Sequence, residues 1–159
     1  SGVSNSQLYK QAGNSIVVDV ETQGDLYPDW LTDVDTLVFS PKAPSSKMLD
    51  TYTKITYYIE KNQYRRTQTI AVKIPVFSDI DIDFARKYAS WIESYNRIND
   101  NTVNLYLSVG NTDVNTKASI RDRVLADYES LLNKINENPE HFEHVFILPQ
   151  LHTLVWGNK

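Results

Sequence analysis

Polar side chains that could take part in chemistry follow short apolar runs at five places in the sequence. The clearest are Glu21, after the run 16–20, and Ser40 and Lys42, after the run 37–39. The complete set is Glu21, Gln23, Ser40, Lys42, Ser78, Asp79, Ser108, Asn111, Gln150 and His152. Together they supply carboxylate, ammonium, hydroxyl, amide and imidazole groups. Such an inventory suits a polar ligand that carries hydroxyl, amine and carboxylate groups.

The apolar runs alternate with amphipathic segments, which predicts strands and helices in alternation. The predicted strands are Ile16–Val20, Thr36–Ser40, Thr69–Phe77, Val103–Leu107 and Val145–Leu148. This order predicts an α/β fold with a mainly parallel five-stranded sheet and right-handed crossovers, in one domain spanning 1–159. Ligands of such folds bind at the carboxyl ends of the strands. The polar residues listed above are therefore expected at one site.

Helical spacing and capping residues predict the connections between these strands. A short helix is expected at about 28–33, and a longer one at about 46–65, capped by Ser45 or Ser46. Ser78 with Asp81 resembles a capping box and predicts the start of another helix. Its apolar stripe is interpreted as core rather than as a cofactor site, and consists of Phe84, Tyr88, Trp91, Ile92 and Tyr95. A last helix begins near 120 and is stopped by Asn138-Pro139.

Each candidate side chain also has a purely structural interpretation. Glu21 could cap the following turn, Lys42 could be solvated, and a lone His152 is more often packed or exposed than catalytic. His141 and His144 are spaced to share a metal, but no third ligand is placed with them. Asp79 and Asp81 are typical of the negative charges that favour a helix N-terminus.

Composition excludes several classes of function. The chain has no cysteine, so it has no disulfide, no thiolate chemistry and no cysteine-ligated cluster of its own. A net charge of −4 argues against nucleic acid or an anionic membrane as a main partner. No apolar run approaches the roughly 18 residues of a membrane span, and the first residues lack a signal-peptide pattern. We therefore expect a cytoplasmic protein. The glycine-rich G-x-G-x-x-G and GxxxxGK[ST] nucleotide-binding turns are also missing.

Five stretches closely resemble the 7-carboxy-7-deazaguanine synthase family, in the form found in Gram-positive bacteria. They are Val20–Gly24, Trp30, the SPKAPSSKM run 40–48, Gly110-Asn111 and the LPQLHTLVWGNK run 148–159. Their order and spacing agree with the family along essentially the whole chain. The two longer runs are specific when they occur together.

The resemblance implies a radical S-adenosylmethionine (SAM) enzyme of the deazapurine pathway that leads to queuosine. Members convert 6-carboxy-5,6,7,8-tetrahydropterin to 7-carboxy-7-deazaguanine by radical ring contraction, with loss of ammonia. A [4Fe–4S] cluster splits SAM to a 5′-deoxyadenosyl radical, and Mg²⁺ assists. The family fold is an incomplete (β/α) barrel.

One departure from the family is decisive for this chain. The family holds its cluster with a CxxxCxxC motif near the N-terminus, whereas this chain has no cysteine. It therefore resembles the larger, C-terminal part of the enzyme, and we expect it to be inactive alone. Absence of the first barrel strands would expose a sheet edge, which predicts marginal stability or self-association, with homodimers typical of the family.

The resemblance also assigns residues to the site, none of them catalytic or metal-binding. Those that would line the SAM side are Glu21, Ser40, Lys42 and Ser108. Gln150 and His152 would lie towards the carboxy-tetrahydropterin substrate or the adenine. The Mg²⁺ ligand is expected outside this sequence.

Two further interpretations remain open beside the enzyme. A non-enzymatic half-barrel module could bind a purine- or pterin-like ligand. An independent flavodoxin-like domain could bind a nucleotide, although the missing phosphate-binding turn argues against it.

Overall fold

The computed structural model describes residues 17–63, 68–110, 120–142 and 144–149, which form one five-stranded parallel sheet. The strands are β1 (Asp19–Thr22), β2 (Thr36–Phe39), β3 (Thr69–Val76), β4 (Val103–Val109) and β5 (Val145–Leu148). They lie side by side in the order β1-β2-β3-β4-β5, and each pair is parallel. The predicted α/β class and parallel sheet are confirmed.

Helical segments connect the strands. The α-helices are α1 (Tyr52–Lys61), α2 (Asp79–Ile98) and α3 (Ile120–Asn136). Short 3₁₀ helices occupy Asp29–Asp33, Pro44–Ser46 and Pro139–His141. None of the helices in the described ranges is long and apolar enough to cross a membrane.

The strand order distinguishes two of the architectures considered from sequence. In a flavodoxin-like sheet the order is 2-1-3-4-5, with helices on both faces. Here each strand lies beside the next strand in the sequence, as in a (β/α) barrel. The described sheet is not closed, because β1 and β5 are not paired with each other. The flavodoxin-like interpretation is therefore wrong, and a partial barrel agrees with the topology.

The apolar core lies on one face of this sheet. Along β3, Ile70, Val72, Ile74 and Val76 are buried and alternate with less apolar residues. Helix α2 contributes Tyr88 and other buried members of its aromatic stripe. The stripe predicted as core is confirmed for Phe84, Tyr88, Ile92 and Tyr95, and Trp91 is partly buried against it.

The opposite face, here called the open face, carries a different set of side chains. Its rows are set by the strand register: Glu21–Val38–Ala71–Asn104, then Lys73–Tyr106–Phe146, then Pro75–Ser108–Leu148. Phe146 is 51% exposed and Leu148 is 40% exposed. Both faces of an all-parallel sheet are normally covered and apolar. The polar and exposed side chains of the open face therefore make it the face on which a ligand site is expected.

The first strand differs from its prediction. The apolar run 16–20 predicted a buried strand, whereas β1 spans Asp19–Thr22 at the sheet edge and is half exposed. The Val18 amide donates to the Asp35 carboxylate at 2.9 Å, and the Val18 carbonyl accepts from the amides of Asp35 and Thr36. Regular pairing with β2 therefore begins one residue later. The other predicted strands agree with the observed ones to within two residues at each end.

The helix predicted from about residue 46 begins later, at Tyr52. The segment Pro44–Ser46 is instead a 3₁₀ turn that ends at Lys47, whose φ of 54° is left-handed. Thr51, without a side-chain capping hydrogen bond, is the N-cap in place of Ser45 or Ser46, and the Asp50 carboxylate accepts the Tyr52 amide at 2.8 Å. By contrast, the short 28–33 helix is confirmed as a 3₁₀ helix, and α3 ends just before Asn138-Pro139 as predicted.

Candidate functional site

The carboxyl ends of the strands lie along one edge of the sheet, but they are staggered. Thr22 pairs with Phe39, and that row continues through Val72 and Leu105. Strands β3 and β4 continue four residues beyond this row, to Val76 and Val109. The tips of β3 and β4 therefore project further than those of β1 and β2.

The tip after β1 is fixed by contacts to α1. Gly24 has φ +78°, and an added Cβ would lie 2.4 Å from Ile55 Cγ1, so only glycine fits there. The Thr51 hydroxyl donates to the Gln23 carbonyl at 2.9 Å, and the Tyr27 hydroxyl donates to the Gly24 carbonyl at 2.7 Å. These contacts hold the backbone directly after Glu21.

The loop after β2 is also held on both sides. The Ser40 amide donates to the Thr22 carbonyl at 2.7 Å, which joins this tip to the tip of β1. Pro41 and Ala43 are buried and flank the half-buried Lys42. The lysine therefore projects from a backbone segment that its two neighbours anchor in the core.

Asp81 ties this loop to the tip of β3. Its carboxylate is fully buried and accepts the amides of Ser45 at 3.0 Å, Phe77 at 2.9 Å and Ser78 at 3.1 Å. Burial alone would raise the pKa of Asp81, but the hydrogen bonds from Ser45, Phe77 and Ser78 more than offset it and hold the pKa below its usual value. The capping-box prediction is confirmed. Besides placing negative charge at the helix N-terminus, Asp81 joins the loop after β2 to the tip of β3.

Lys73 is a site residue that the sequence interpretation missed. Its ammonium lies 3.5 Å from both carboxylate oxygens of Glu21, and both side chains are partly exposed on the open face. In the same cross-strand row, Tyr106 stacks on Phe146 with centroids 5.0 Å apart and rings 25° from parallel. The sequence feature that could have identified Lys73 is its position as the only charged residue in the largely apolar run of β3.

Ser108 is buried on the open face, where its register partners are Pro75 and Leu148. It lies three strands away from Glu21, about 14 Å across the sheet. The structure thus joins the Glu21 and Ser40 tips through backbone contacts and places Ser108 further along the same edge. Gln150 and His152 lie outside the described residues.

A cavity of about 180 Å³ lies at the tips of β3 and β4 on the helix side. Its lining includes Ser78, Gly110, Ser130 and Lys134, and the residues assigned to the SAM side are not part of it. Lys134 pairs with Asp79 at its rim. This cavity is therefore separate from the proposed SAM side, and it takes Ser78 away from the single site expected from sequence.

The structure offers no support for a metal at the histidines. His141 is exposed with Nε2 3.6 Å from Glu140, and no group of three potential metal ligands occurs in the described part of the chain. Because the sequence also lacks cysteine, the chain's own residues do not fit a [4Fe–4S] cluster.

Comparison with known proteins confirms the resemblance. The chain is 38% identical over 149 residues to a 7-carboxy-7-deazaguanine synthase of Bacillus subtilis, a match that covers 92% of the chain and 58% of that protein. It is 36% identical over 148 residues to the enzyme of the same name from Bacillus cereus, covering 92% of the chain and 57% of that protein. The chain thus spans a little more than half the length of these relatives. No protein-family model matches it.

Proposed function

We propose that this chain is the C-terminal, larger portion of a 7-carboxy-7-deazaguanine synthase. In that role it contributes to converting carboxy-tetrahydropterin to 7-carboxy-7-deazaguanine by radical SAM chemistry, in queuosine biosynthesis. The observation that carries the proposal is identity of 38% across 92% of the chain. The sequential parallel sheet supports it, since a partial barrel requires that strand order.

The SAM side of the site is proposed to lie at the joined tips of β1 and β2. SAM carries an amine, a carboxylate and two ribose hydroxyls, and the tips offer complementary groups in Glu21, Lys42 and Ser40. A carboxylate binds ammonium or hydroxyl donors, and an ammonium binds a carboxylate. Ser108, further along the edge, would contact the same ligand from β4.

The cluster supplies one-electron reduction of SAM when it is bound, and it must be held by residues outside this chain. The residues of this chain then bind and orient SAM and substrate. We propose that the chain alone is inactive for this reason.

The decisive experiment is a chimera. In the Bacillus subtilis relative, the matched stretch is replaced by this chain, and product formation is measured by mass spectrometry after cluster reconstitution. We expect conversion of carboxy-tetrahydropterin to 7-carboxy-7-deazaguanine. A chimera that folds and shows the visible absorbance of its cluster but makes no product would contradict the proposal.

Matched variants of the chimera test the assigned residues. Lys42→Met removes one cation from the proposed SAM side, and Lys54→Met removes one from the exposed surface of α1. We expect about a tenfold or greater loss of kcat/KM in Lys42→Met and little change in Lys54→Met, because a hydrogen bond to a charged group contributes about 1.5–3 kcal/mol. Equal values of kcat/KM in Lys42→Met and Lys54→Met would contradict the assignment of Lys42 to the SAM side.

Calorimetry of SAM with the isolated chain tests the location of the pocket directly. We expect weak binding that is lost in Glu21→Ala and in Ser40→Ala. Binding that survives both substitutions would place the SAM pocket elsewhere. SAM-independent binding of a purine or pterin, with an inactive chimera, would instead support the non-enzymatic module.

A further inference from the structure

The Asp81 carboxylate makes one contact that the start of its helix does not require. A capping box links the acid at the third helical position to the backbone before the helix, and the amides of Phe77 and Ser78 already provide that link at 2.9 and 3.1 Å. The second carboxylate oxygen accepts the Ser45 amide at 3.0 Å, from a segment 36 residues away in the chain. This contact therefore stabilises the loop after β2 rather than the start of α2.

Complete burial makes the position of that loop critical for Asp81. Removing a carboxylate from water is unfavourable unless hydrogen bonds replace the lost hydration. Two of its amide partners lie at the tip of β3 and one lies in the loop, so all three are satisfied only when the loop lies against that tip. A buried polar group that is fully satisfied in this way favours a single loop conformation.

The loop is thereby fixed on both sides of Lys42. On one side, the Ser40 amide donates to the Thr22 carbonyl at 2.7 Å, at the tip of β1. On the other side, the Ser45 amide donates to Asp81, at the tip of β3. Lys42 therefore projects from a short segment whose ends are attached to two different strands of the sheet.

This segment has little conformational freedom of its own. The rings of Pro41 and Pro44 fix their φ angles, and Pro41 and Ala43 are buried. Lys42 is half-buried between them. A displacement at Ser45 would therefore be transmitted to Lys42 instead of being absorbed by rotations in between.

We propose that Asp81 is a positioning residue for SAM binding and that it acts through Lys42. It is completely buried and does not touch the ligand. By holding the Ser45 amide, it determines where the Lys42 ammonium meets the SAM carboxylate. The strength of that charged hydrogen bond depends on its distance and angle, so a shifted loop lowers the affinity for SAM. This inference rests on the proposed function, which assigns Lys42 to the SAM side.

The test measures SAM affinity by calorimetry in the reconstituted chimera, which needs no turnover. Asp81→Asn is expected to weaken SAM binding about fivefold, and Lys42→Met about tenfold or more. Circular dichroism of each variant confirms folding at the temperature of the titration. An Asp81→Asn chimera that binds SAM as tightly as the unsubstituted chimera would overturn the inference.

A double-mutant cycle shows whether Asp81 acts through Lys42. In the Lys42→Met background, Asp81→Asn is expected to change SAM affinity by less than about twofold, because the cation that it positions is already absent. A further loss of about fivefold in the double variant would show that the two residues act independently, and would overturn the inference.

Gln68→Met is the control for a general effect of lower stability. It removes a buried amide that donates to two backbone carbonyls just before β3, at the opposite edge of the sheet from the loop. We expect it to leave SAM affinity unchanged. Equal losses of SAM affinity in Asp81→Asn and Gln68→Met would overturn the inference.

A second variant loosens the same loop without touching the buried carboxylate. The Ser46 hydroxyl donates to the Ala43 carbonyl at 2.7 Å and closes the turn that contains Ser45. Ser46→Ala is expected to fold and to weaken SAM binding about twofold, with no further loss in the Lys42→Met background. It decides the question if Asp81→Asn does not fold, since unchanged SAM affinity in Ser46→Ala would overturn the inference.

The two proposals fail separately. In an active chimera, Asp81→Asn should raise KM for SAM about fivefold while kcat changes by less than about twofold. An unchanged KM would overturn the positioning role and leave the proposed function standing. A chimera that makes no product but binds SAM, with the expected loss in Asp81→Asn, would leave the positioning role standing and overturn the function.

Discussion

Asp81→Asn should destabilise the protein more than any exposed carboxylate substitution. The carboxylate is fully buried and receives three backbone amides from two segments, the loop after β2 and the tip of β3. One oxygen accepts the Ser45 amide, and the other accepts the amides of Phe77 and Ser78. An asparagine has a single oxygen, so its NH₂ group must face at least one of these donors.

The expected loss follows from that count. Hydrogen bonds to a charged group contribute about 1.5–3 kcal/mol, and an unsatisfied buried donor costs about 1–3 kcal/mol. Loss of the charge and misplacement of one donor together predict a decrease of about 3–5 kcal/mol in the free energy of unfolding. Since small domains have about 5–15 kcal/mol in total, the melting temperature should fall by about 10 °C or more.

Urea and thermal unfolding at neutral pH measure this loss. The control is Asp83→Asn, which changes a neighbouring exposed carboxylate that pairs with Arg86 at 2.7 Å, an interaction expected to contribute about 0.5 kcal/mol. A loss below about 1 kcal/mol in Asp81→Asn, or a loss equal to that of Asp83→Asn, would refute the assigned role.

The pH dependence gives a second check on Asp81. Its pKa is lowered in the folded state, so its stabilising contribution is present above the unfolded pKa of about 3.9 and is lost as pH falls through the folded pKa. Stability of the native chain should therefore fall with acidification below about pH 4 more steeply than that of Asp81→Asn. Parallel acid unfolding curves would contradict this.

Three further predictions concern the fold and assembly. Gly24→Ala should lower the free energy of unfolding by about 2–4 kcal/mol, because φ is +78° and the new Cβ would meet Ile55; equal urea midpoints would contradict this. Gln68→Met should cost about 2 kcal/mol, since the buried amide donates to the carbonyls of Leu31 at 2.7 Å and Val34 at 3.1 Å; thermal unfolding measures it, and an unchanged melting temperature would count against it. The isolated chain should self-associate through its edge strands or open face, and a monodisperse monomer in light scattering would count against that.

Local patterns were sufficient to predict the sheet. Short β-branched runs that alternate with amphipathic segments predict strands, helical connections and a parallel arrangement. Ser78 and Asp81, three residues apart, form a capping box that predicts the start of a helix. Proline and glycine positions likewise predicted where the tips lie. These features depend on neighbours in sequence, which a single chain displays directly.

The sequence-based predictions failed or were incomplete for features that depend on local backbone conformation or on residues far apart in the chain. The late start of α1 follows a 3₁₀ turn that ends at the left-handed Lys47, and an apolar period does not reveal such a turn. Asp81 accepts an amide 36 residues away, and Lys73 meets Glu21 at a separation of 52 residues. Such contacts follow from strand order and register, and the sequence alone did not specify the register.

The stagger of the sheet bears on whether the tip residues can form one site. From the Glu21 row to the Ser108 row, the register advances four residues across three strand spacings. This is about 13 Å along the strands and about 14 Å across them, which corresponds to a slope of about 43°.

Strands of a barrel tilt by about 35–45° from its axis. Residues at the same height along that axis are therefore not register partners: from each strand to the next, the residue at that height lies further along the chain, and the line that joins these residues has a similar slope. Glu21 and Ser108 are therefore about level around a barrel axis, although they are far apart in a flat projection. Ser40 follows Phe39, the partner of Val72, and so is in register with Lys73, two residues beyond the Glu21 row and two residues short of the Ser108 row. Curvature of the sheet would then bring these residues around one ligand.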